Sequence, residues 1–263
     1  MQLLKAVDLS IVFGGLRAVD NISFYINEGE IVGLIGPNGA GKTTFFNLLT
    51  GIYVPTSGEI IFQQEIENGS EKEYRELRLN GMKPYQVTSA GIARTFQNIR
   101  LFKEMTVLDN VLIGMHCRTR VGLWGSIFPF NRNEERDSRD KARELLEFVG
   151  LLYKEKERAK NLSYGEQRRL EIARAMAAGP KLLLLDEPAA GMNAVETRQL
   201  IKLIDDIRQT EKTILLIEHD MKLVMGISER IIVLDYGKKI AEGTPHEVQK
   251  DEKVIKAYLG EGV

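Results

Sequence analysis

The sequence has 263 residues, of which 43% are hydrophobic and 28% charged, and its net charge is -1. That is enough apolar material for one large domain or a domain with a sub-lobe. No basic excess suggests nucleic acid, and no acidic tail suggests a charged partner. A single cysteine, Cys117, rules out an internal disulfide and fits a reducing compartment. Residues 1–8 lack a signal peptide's apolar core. No apolar run approaches the roughly 18 residues that cross a bilayer, so the chain is expected to be soluble by itself or attached to a membrane through other subunits.

In chain order, residues 3–12 and 22–26 read as strands, the second ending at the turn Asn27-Glu-Gly29. Residues 30–35 read as a buried strand and 44–49 as a helix. A strand at 58–62 follows the turn Pro55-Thr-Ser-Gly58. Residues 65–83 are polar and read as a solvated, partly disordered excursion. A short strand at 92–96 precedes helices at 106–115, 133–150 and 164–178. In the second of these, Ala142, Leu145, Leu146 and Val149 recur at helical spacing. Strand 181–186, helix 194–208, strand 213–218, helix 220–227 and strands 230–234 and 238–241 complete the chain. The alternation predicts an α/β fold with a parallel sheet, interrupted by a helical sub-lobe over 97–179.

Between the strand at 30–35 and the helix at 44–49 lies Gly36-Pro37-Asn38-Gly39-Ala40-Gly41-Lys42-Thr43-Thr44, which fits the phosphate-binding pattern G-x-x-x-x-G-K-[ST] at every fixed position. Glycines let successive N–H groups converge on one anion. The following helix points its positive end at that anion. Lys42 supplies a charge for the β- and γ-phosphates, and Thr43 a hydroxyl for Mg²⁺. The pattern predicts a nucleotide's phosphates with Mg²⁺ as their companion.

The strand Lys181-Leu-Leu-Leu-Leu-Asp186 ends in two acids, with Pro188 closing it. Such a strand end is where ligands of open α/β sheets bind. Asp186 suits Mg²⁺, and Glu187 suits a water aimed at the γ-phosphate; the alternative is an ordinary solvated strand end. His219, after the strand at 213–218, could donate to the γ-phosphate or hold the attacking water; a plain exposed histidine is the alternative. In Leu162-Ser163-Tyr-Gly165-Glu166-Gln167, Ser163 and Glu166 fit a capping box, and Gly165 permits an anion to approach the helix end.

GPNGAGKTT, Gln97, LSYGEQ, LLLLDEP and His219, in this order, resemble the ATP-binding subunit of ABC transporters along essentially the whole chain. The resemblance implies the P-loop ABC-ATPase fold: a mostly parallel core sheet, an antiparallel β subdomain and a helical subdomain. Residues 1–96 and 180–243 would form the nucleotide-binding core with the β subdomain. Residues 97–179 would form the helical signature subdomain, and 244–263 a C-terminal helical tail. It further implies a head-to-tail dimer, with an identical or sister ATPase, in which Ser163, Gly165 and Glu166 meet the partner's ATP. Gln97 would sense Mg²⁺ and water, and Phe13 would stack on adenine, although a core phenylalanine is its rival. Membrane permease subunits, and through them an external solute-binding protein, are the implied partners; nucleic acid is not. Asn193 departs from the aspartate usual after Pro188 and carries no charge.

Five strings narrow the resemblance: Ile92-Ala-Arg-Thr-Phe-Gln-Asn98, Leu123-Trp-Gly-Ser-Ile127, Ala189-Ala-Gly-Met-Asn193, Ile217-Glu-His-Asp-Met221, and Leu234-Asp-Tyr-Gly237 with Ala241-Glu-Gly-Thr-Pro245. They are similar to the branched-chain amino acid importer family, in its larger, LivG-type ATPase. A lipopolysaccharide-export ATPase is the nearest rival and has a shorter segment between Gln97 and the signature; a non-transport ABC ATPase is the more distant one. The apolar stretch at 121–130 would either dock a permease helix or pack on the helix at 133–150.

Overall fold

The computed structural model describes residues 1–68, 71–115 and 132–259. The stretch 121–130 therefore lies outside the described residues. Strands β1 (Gln2–Phe13) and β2 (Leu16–Asn27) form an antiparallel hairpin. Next come β3 (Ile31–Ile35), α1 (Lys42–Leu49), β4 (Ser57–Asn68) and β5 (Glu71–Arg78). A short helix α2 (Pro84–Ala90) leads into β6 (Ile92–Arg94). Three helices follow, α3 (Val107–Met115), α4 (Arg132–Phe148) and α5 (Tyr164–Ala177). The chain then alternates through β7 (Leu182–Asp186), α6 (Ala194–Gln209), β8 (Thr213–Ile217), α7 (Met221–Ile227) and β9 (Arg230–Asp235). It finishes with β10 (Lys238–Gly243), α8 (Pro245–Lys250) and α9 (Glu252–Leu259).

The strands make two sheets. One is antiparallel, in the order β2-β1-β4-β5. The other runs β10-β9-β3-β8-β7-β6, all parallel except the edge strand β10. Strands β3, β7 and β8 are buried at every residue, because both faces of the parallel sheet are covered. Side-chain alternation divides each of them between two cores. Val32, Leu34, Leu182, Leu184, Leu215 and Ile217 join Phe45 and Phe46 of α1 and the apolar face of the antiparallel sheet. Ile31, Ile35, Leu183, Leu185, Ile214 and Leu216 face the helices, including Val111, Leu146, Leu170 and Ile204. Helix α1 thus lies between the two sheets, and the C-terminal ends of β3, β7 and β8 open on its N-terminus.

The expected excursion at 65–83 is structured instead. Strand β4 continues to Asn68 and pairs with β5 in an unbroken register from Ile61–Arg78 to Asn68–Glu71. Its polar composition hides the strands, since Glu, Gln, Lys and Arg occupy both faces and leave no apolar alternation to read. Lys181 reaches across to Glu65 at 2.5 Å, tying the hairpin to the start of β7. The other predicted elements appear with ends shifted by a few residues, β2 more than most, and α2 is an addition. No helix among the described residues is long and apolar enough to cross a membrane.

Candidate nucleotide site

The loop after β3 is shaped by contacts that only glycine tolerates. Gly36 has φ +153°, and a Cβ there would stand 2.1 Å from the Leu234 carbonyl oxygen. Gly41, at φ +98°, caps α1 and would place a Cβ 2.4 Å from the Ala18 carbonyl oxygen. The loop is therefore wedged against β9 and β2. No side chain caps α1, so its first N–H groups remain for an anion. Lys42 is buried, and its Nζ donates to the carbonyls of Gly36 (2.7 Å) and Pro37 (2.9 Å). Burial pulls the Lys42 ammonium below the ordinary lysine value, while the Glu187 and Asp186 carboxylates pull it back up.

A cleft of about 580 Å³ gathers Asn38 to Thr44 with Gln97, Glu187 and His219. Leu16, Arg17, Ala18, Tyr236 and Gly237 line it beside the loop, where the Gly237 N–H donates to the Ala40 carbonyl at 3.1 Å. Sequence elements far apart in the chain thus meet in one cleft. Glu187 is the centre of the polar cluster: Gln97 Nε2 donates to its Oε2 at 2.7 Å, and His219 Nε2 lies 2.9 Å from its Oε1. Its backbone has φ +48°, a left-handed conformation uncommon for a non-glycine residue, which turns the chain sharply after β7. Such outliers gather at functional sites, and strain observed there supports a functional reading.

Asp186 ends β7 nearly dehydrated, at 2% exposure, but not unaccompanied. Arg94 Nη2 donates to its Oδ2 at 2.6 Å, while Arg94 Nη1 donates to Asn47 Oδ1 of α1 at 2.7 Å. The guanidinium lies near the rings of Phe46 and Phe96. One arginine thereby joins β6, α1 and β7 behind the phosphate loop. Among the described residues no group of three or more His, Cys, Asp or Glu side chains could cage a metal. Thr43, Asp186 and Gln97 offer hard oxygen donors only. Donors of that kind suit Mg²⁺, which takes few protein ligands and completes its shell with water and phosphate oxygens; Thr43 and Gln97 line the cleft, while Asp186, held by Arg94, is not among its lining residues.

Gln97 is held by its main chain from α5. Arg168, fully buried, donates to the Phe96 carbonyl at 2.7 Å and to the Gln97 carbonyl at 2.8 Å. Glu171, paired with Arg168 at 2.9 Å, accepts from the N–H groups of Phe96 and Arg100. Burial raises the Glu171 carboxyl, against the pull of Arg168.

The structure does not bring the α5 motif to this cleft. Ser163, Gly165 and Glu166 line a separate depression of about 140 Å³ against Met192 and Glu196 of the neighbouring segment. The two cavities share no residue. Ser163 and Glu166 form the expected capping box. Both Glu166 oxygens are engaged within the chain, by the Tyr153 hydroxyl (2.9 Å), Lys154 Nζ (3.0 Å) and the Ser163 N–H (2.9 Å). Asn193 is likewise committed, its Oδ1 accepting from the Val195 and Glu196 N–H groups at the start of α6. Phe13 is half-exposed on β1 and meets Tyr53 edge-on at 5.2 Å, whereas Arg17 and Tyr236 line the cleft itself.

The sequence model of the ABC transporter family matches residues 19–190, which span the glycine loop, Gln97, the α5 motif and both carboxylates. The chain belongs to the ABC transporter family. It is an ATP-binding subunit of that family, and a second model, described as a branched-chain amino acid ATP-binding cassette transporter, matches residues 238–263. This ABC ATPase is 49% identical over 262 residues to the high-affinity branched-chain amino acid transport ATP-binding protein LivG of Salmonella typhimurium, covering 98% of each chain. Among solved structures it resembles the ADP conformation of MJ1267, an ATP-binding cassette of an ABC transporter, with a TM-score of 0.82, 32% identity and coverage of 99% and 100%. It also resembles the dimeric, post-hydrolysis ATP-binding cassette MJ0796 bound to ADP and phosphate, with a TM-score of 0.73, 26% identity and coverage of 92% and 99%.

Four residues of the ABC ATPase's site were not legible beforehand. Arg94 stands inside a recognised string and Arg168 just after one, but their buried partners lie far away in sequence. Arg17 lies at the start of β2 and Tyr236 on the turn after β9, and their approach to the loop depends on how those two strands lie against it. Nothing in the sequence marks Arg17, and the string that holds Tyr236 gives no hint that it reaches the loop.

Proposed function

We propose that this chain is the ATP-hydrolysing subunit of an ABC importer for branched-chain amino acids, attached peripherally to the cytoplasmic face of the membrane through permease subunits. The observation that carries hydrolysis is the bracketing of Glu187 by Gln97 and His219 beside Lys42 in one cleft. The identity to LivG along the whole chain, together with the C-terminal family match, supports the solute class.

The residues divide the work as follows. The N–H groups of residues 36–44 and Lys42 cradle the phosphates. Thr43, Asp186 and Gln97 would hold Mg²⁺, which when bound neutralises charge on the β- and γ-phosphates. Glu187 takes the proton of the attacking water, while His219 holds one oxygen of its carboxylate and Gln97 the other. Phe13 contributes a π-face for the base. Ser163 and Gly165 complete the site of a second ATPase subunit, identical or related, across a head-to-tail dimer. Its closure, favoured by higher ATP affinity for the closed form, shifts the permease between access states. The external solute-binding protein acts through those permeases.

Substitution of Glu187 by Gln should lower ATP turnover by roughly 10²–10⁴-fold while nucleotide binding persists. Phosphate-release assays alongside calorimetric titration with ATP check both halves. Unchanged turnover would remove Glu187 from the role.

A further inference from the structure

One buried carboxylate beside the cleft has no part in the chemistry above. Glu218 follows β8 and is 4% exposed. Its Oε1 accepts the N–H of Ala189 at 2.6 Å, and its Oε2 accepts the N–H of His219 at 3.1 Å. Ala189 lies two residues beyond Glu187 in the turn that leaves β7. The Glu187 N–H itself donates to the carbonyl of Ile217, the neighbour of Glu218, at 2.9 Å. Two loops from two parallel strands are therefore fastened at the backbone, and the side chains they carry, Glu187 and His219, meet 2.9 Å apart.

We propose that Glu218 is a positioning residue for ATP hydrolysis, its carboxylate bridging the Glu187 turn to the His219 loop and so presetting the Glu187–His219 contact. The inference rests on the hydrolytic roles given to those two residues. An ionised carboxylate is suited to this bridge because it offers two acceptor oxygens and no donor. An amide would turn one oxygen into an N–H that faces another N–H. Hydroxyl side chains are too short to span both loops. A charge this deep is tolerated because backbone donors surround it. Burial pushes the Glu218 carboxyl above its ordinary value, against the N–H groups of Ala189, His219 and Asp220, and the nearby Glu187 charge adds to the rise. The left-handed backbone at Glu187 gives the bridge a reason: a turn held off its preferred conformation relaxes unless something on the facing loop restrains it.

The test uses the full chain with Glu218→Gln and Glu218→Ala. Steady-state ATPase kinetics, ATP titration calorimetry and ¹⁵N imidazole spectra of the three histidines are measured, with His219 assigned by His219→Gln. In both variants kcat should fall by roughly 10–100-fold, because small misplacements of reacting groups cost that much. KM and ATP affinity should stay within about twofold, the signature of a loss confined to the chemical step. The His219 ring resonances should move and cease to respond to Glu187→Gln. If Glu218→Ala does not fold, the nearly isosteric Glu218→Gln decides. Turnover within about twofold of the unaltered chain, affinity that falls in step with kcat, or His219 resonances that stay put would each overturn the proposal. Should the unaltered chain hydrolyse no ATP, the hydrolytic reading fails instead, and the imidazole spectra alone decide whether Glu218 sets the contact.

Discussion

Arg94 and Asp186 stand 92 residues apart in the chain and meet at 2.6 Å, with 5% and 3% of their side chains exposed. A buried pair of this kind is poor evidence of net stabilisation, because both ions were taken from water. Removing one member is a different matter, since the other is left charged and dry. Arg94→Met should cost about 3–5 kcal/mol of folding stability, and adding Asp186→Asn should restore part of it. Urea unfolding of the single and double variants measures both, and an additive result would mean that the pair is not coupled. The sequence announced Asp186 by its place after four leucines, yet it was silent about Arg94. Motifs report the residues that touch ligand; the residues that hold those in place are found only when strands are set side by side.

Helix α5 shows how one element carries two tasks. Its first turn bears the capping box, and its next turn sends Arg168 and Glu171 into the backbone of residues 96–100. Any tilt of α5 therefore carries the Gln97 backbone with it. At the cap, burial alone would raise the Glu166 carboxyl, but Lys154, the Ser163 N–H and Tyr153 together draw it down from 4.5 to about 2. A lowered folded value means stability that is present above pH 4.5 and disappears as pH falls through about 2. Glu166→Gln should thus weaken the fold by about 1–3 kcal/mol at neutral pH. The gap between variant and parent should narrow as the medium is acidified below pH 4.5. Denaturation midpoints taken across that range test it; a gap independent of pH would assign the loss to something other than charge. Helix α4, read from Ala142, Leu145, Leu146 and Val149 at helical spacing, and β7, a continuous apolar run, were legible in the sequence. The β4–β5 ribbon was not, because exposed strands can be built from charged residues whose pairing follows the neighbouring strand β1 rather than a hydrophobic face.

The whole molecule places its phosphate loop and its α5 motif in separate cavities. A single copy therefore cannot apply Ser163 to the nucleotide its own loop would hold, and a second subunit is the natural complement. Ser163→Arg should leave ATP binding by the isolated chain intact while preventing ATP-dependent association. Light scattering with the Glu187→Gln background, where ATP persists, reads this out; dimers that still form would refute the cross-subunit assignment. The layered α/β architecture was readable from alternation of strands and helices, and the family resemblance supplied the antiparallel sheet. Which edge each loop closes over, and hence that Tyr236 and Arg17 share a rim with Lys42, depends on sheet order and not on any local pattern.

Lys42 carries a last implication. Its ammonium is removed from water by the folding of the chain itself and rests on carbonyls 36 and 37. A polyphosphate arriving in the cleft meets a cation already dehydrated, so the lysine exchanges one pair of oxygens for another instead of shedding solvent at the moment of capture. Small anions that reach the ammonium without also spanning the neighbouring N–H groups offer no better bargain than the carbonyls do. The loop's own main chain thus acts as a competitor that sets the threshold an incoming anion must exceed.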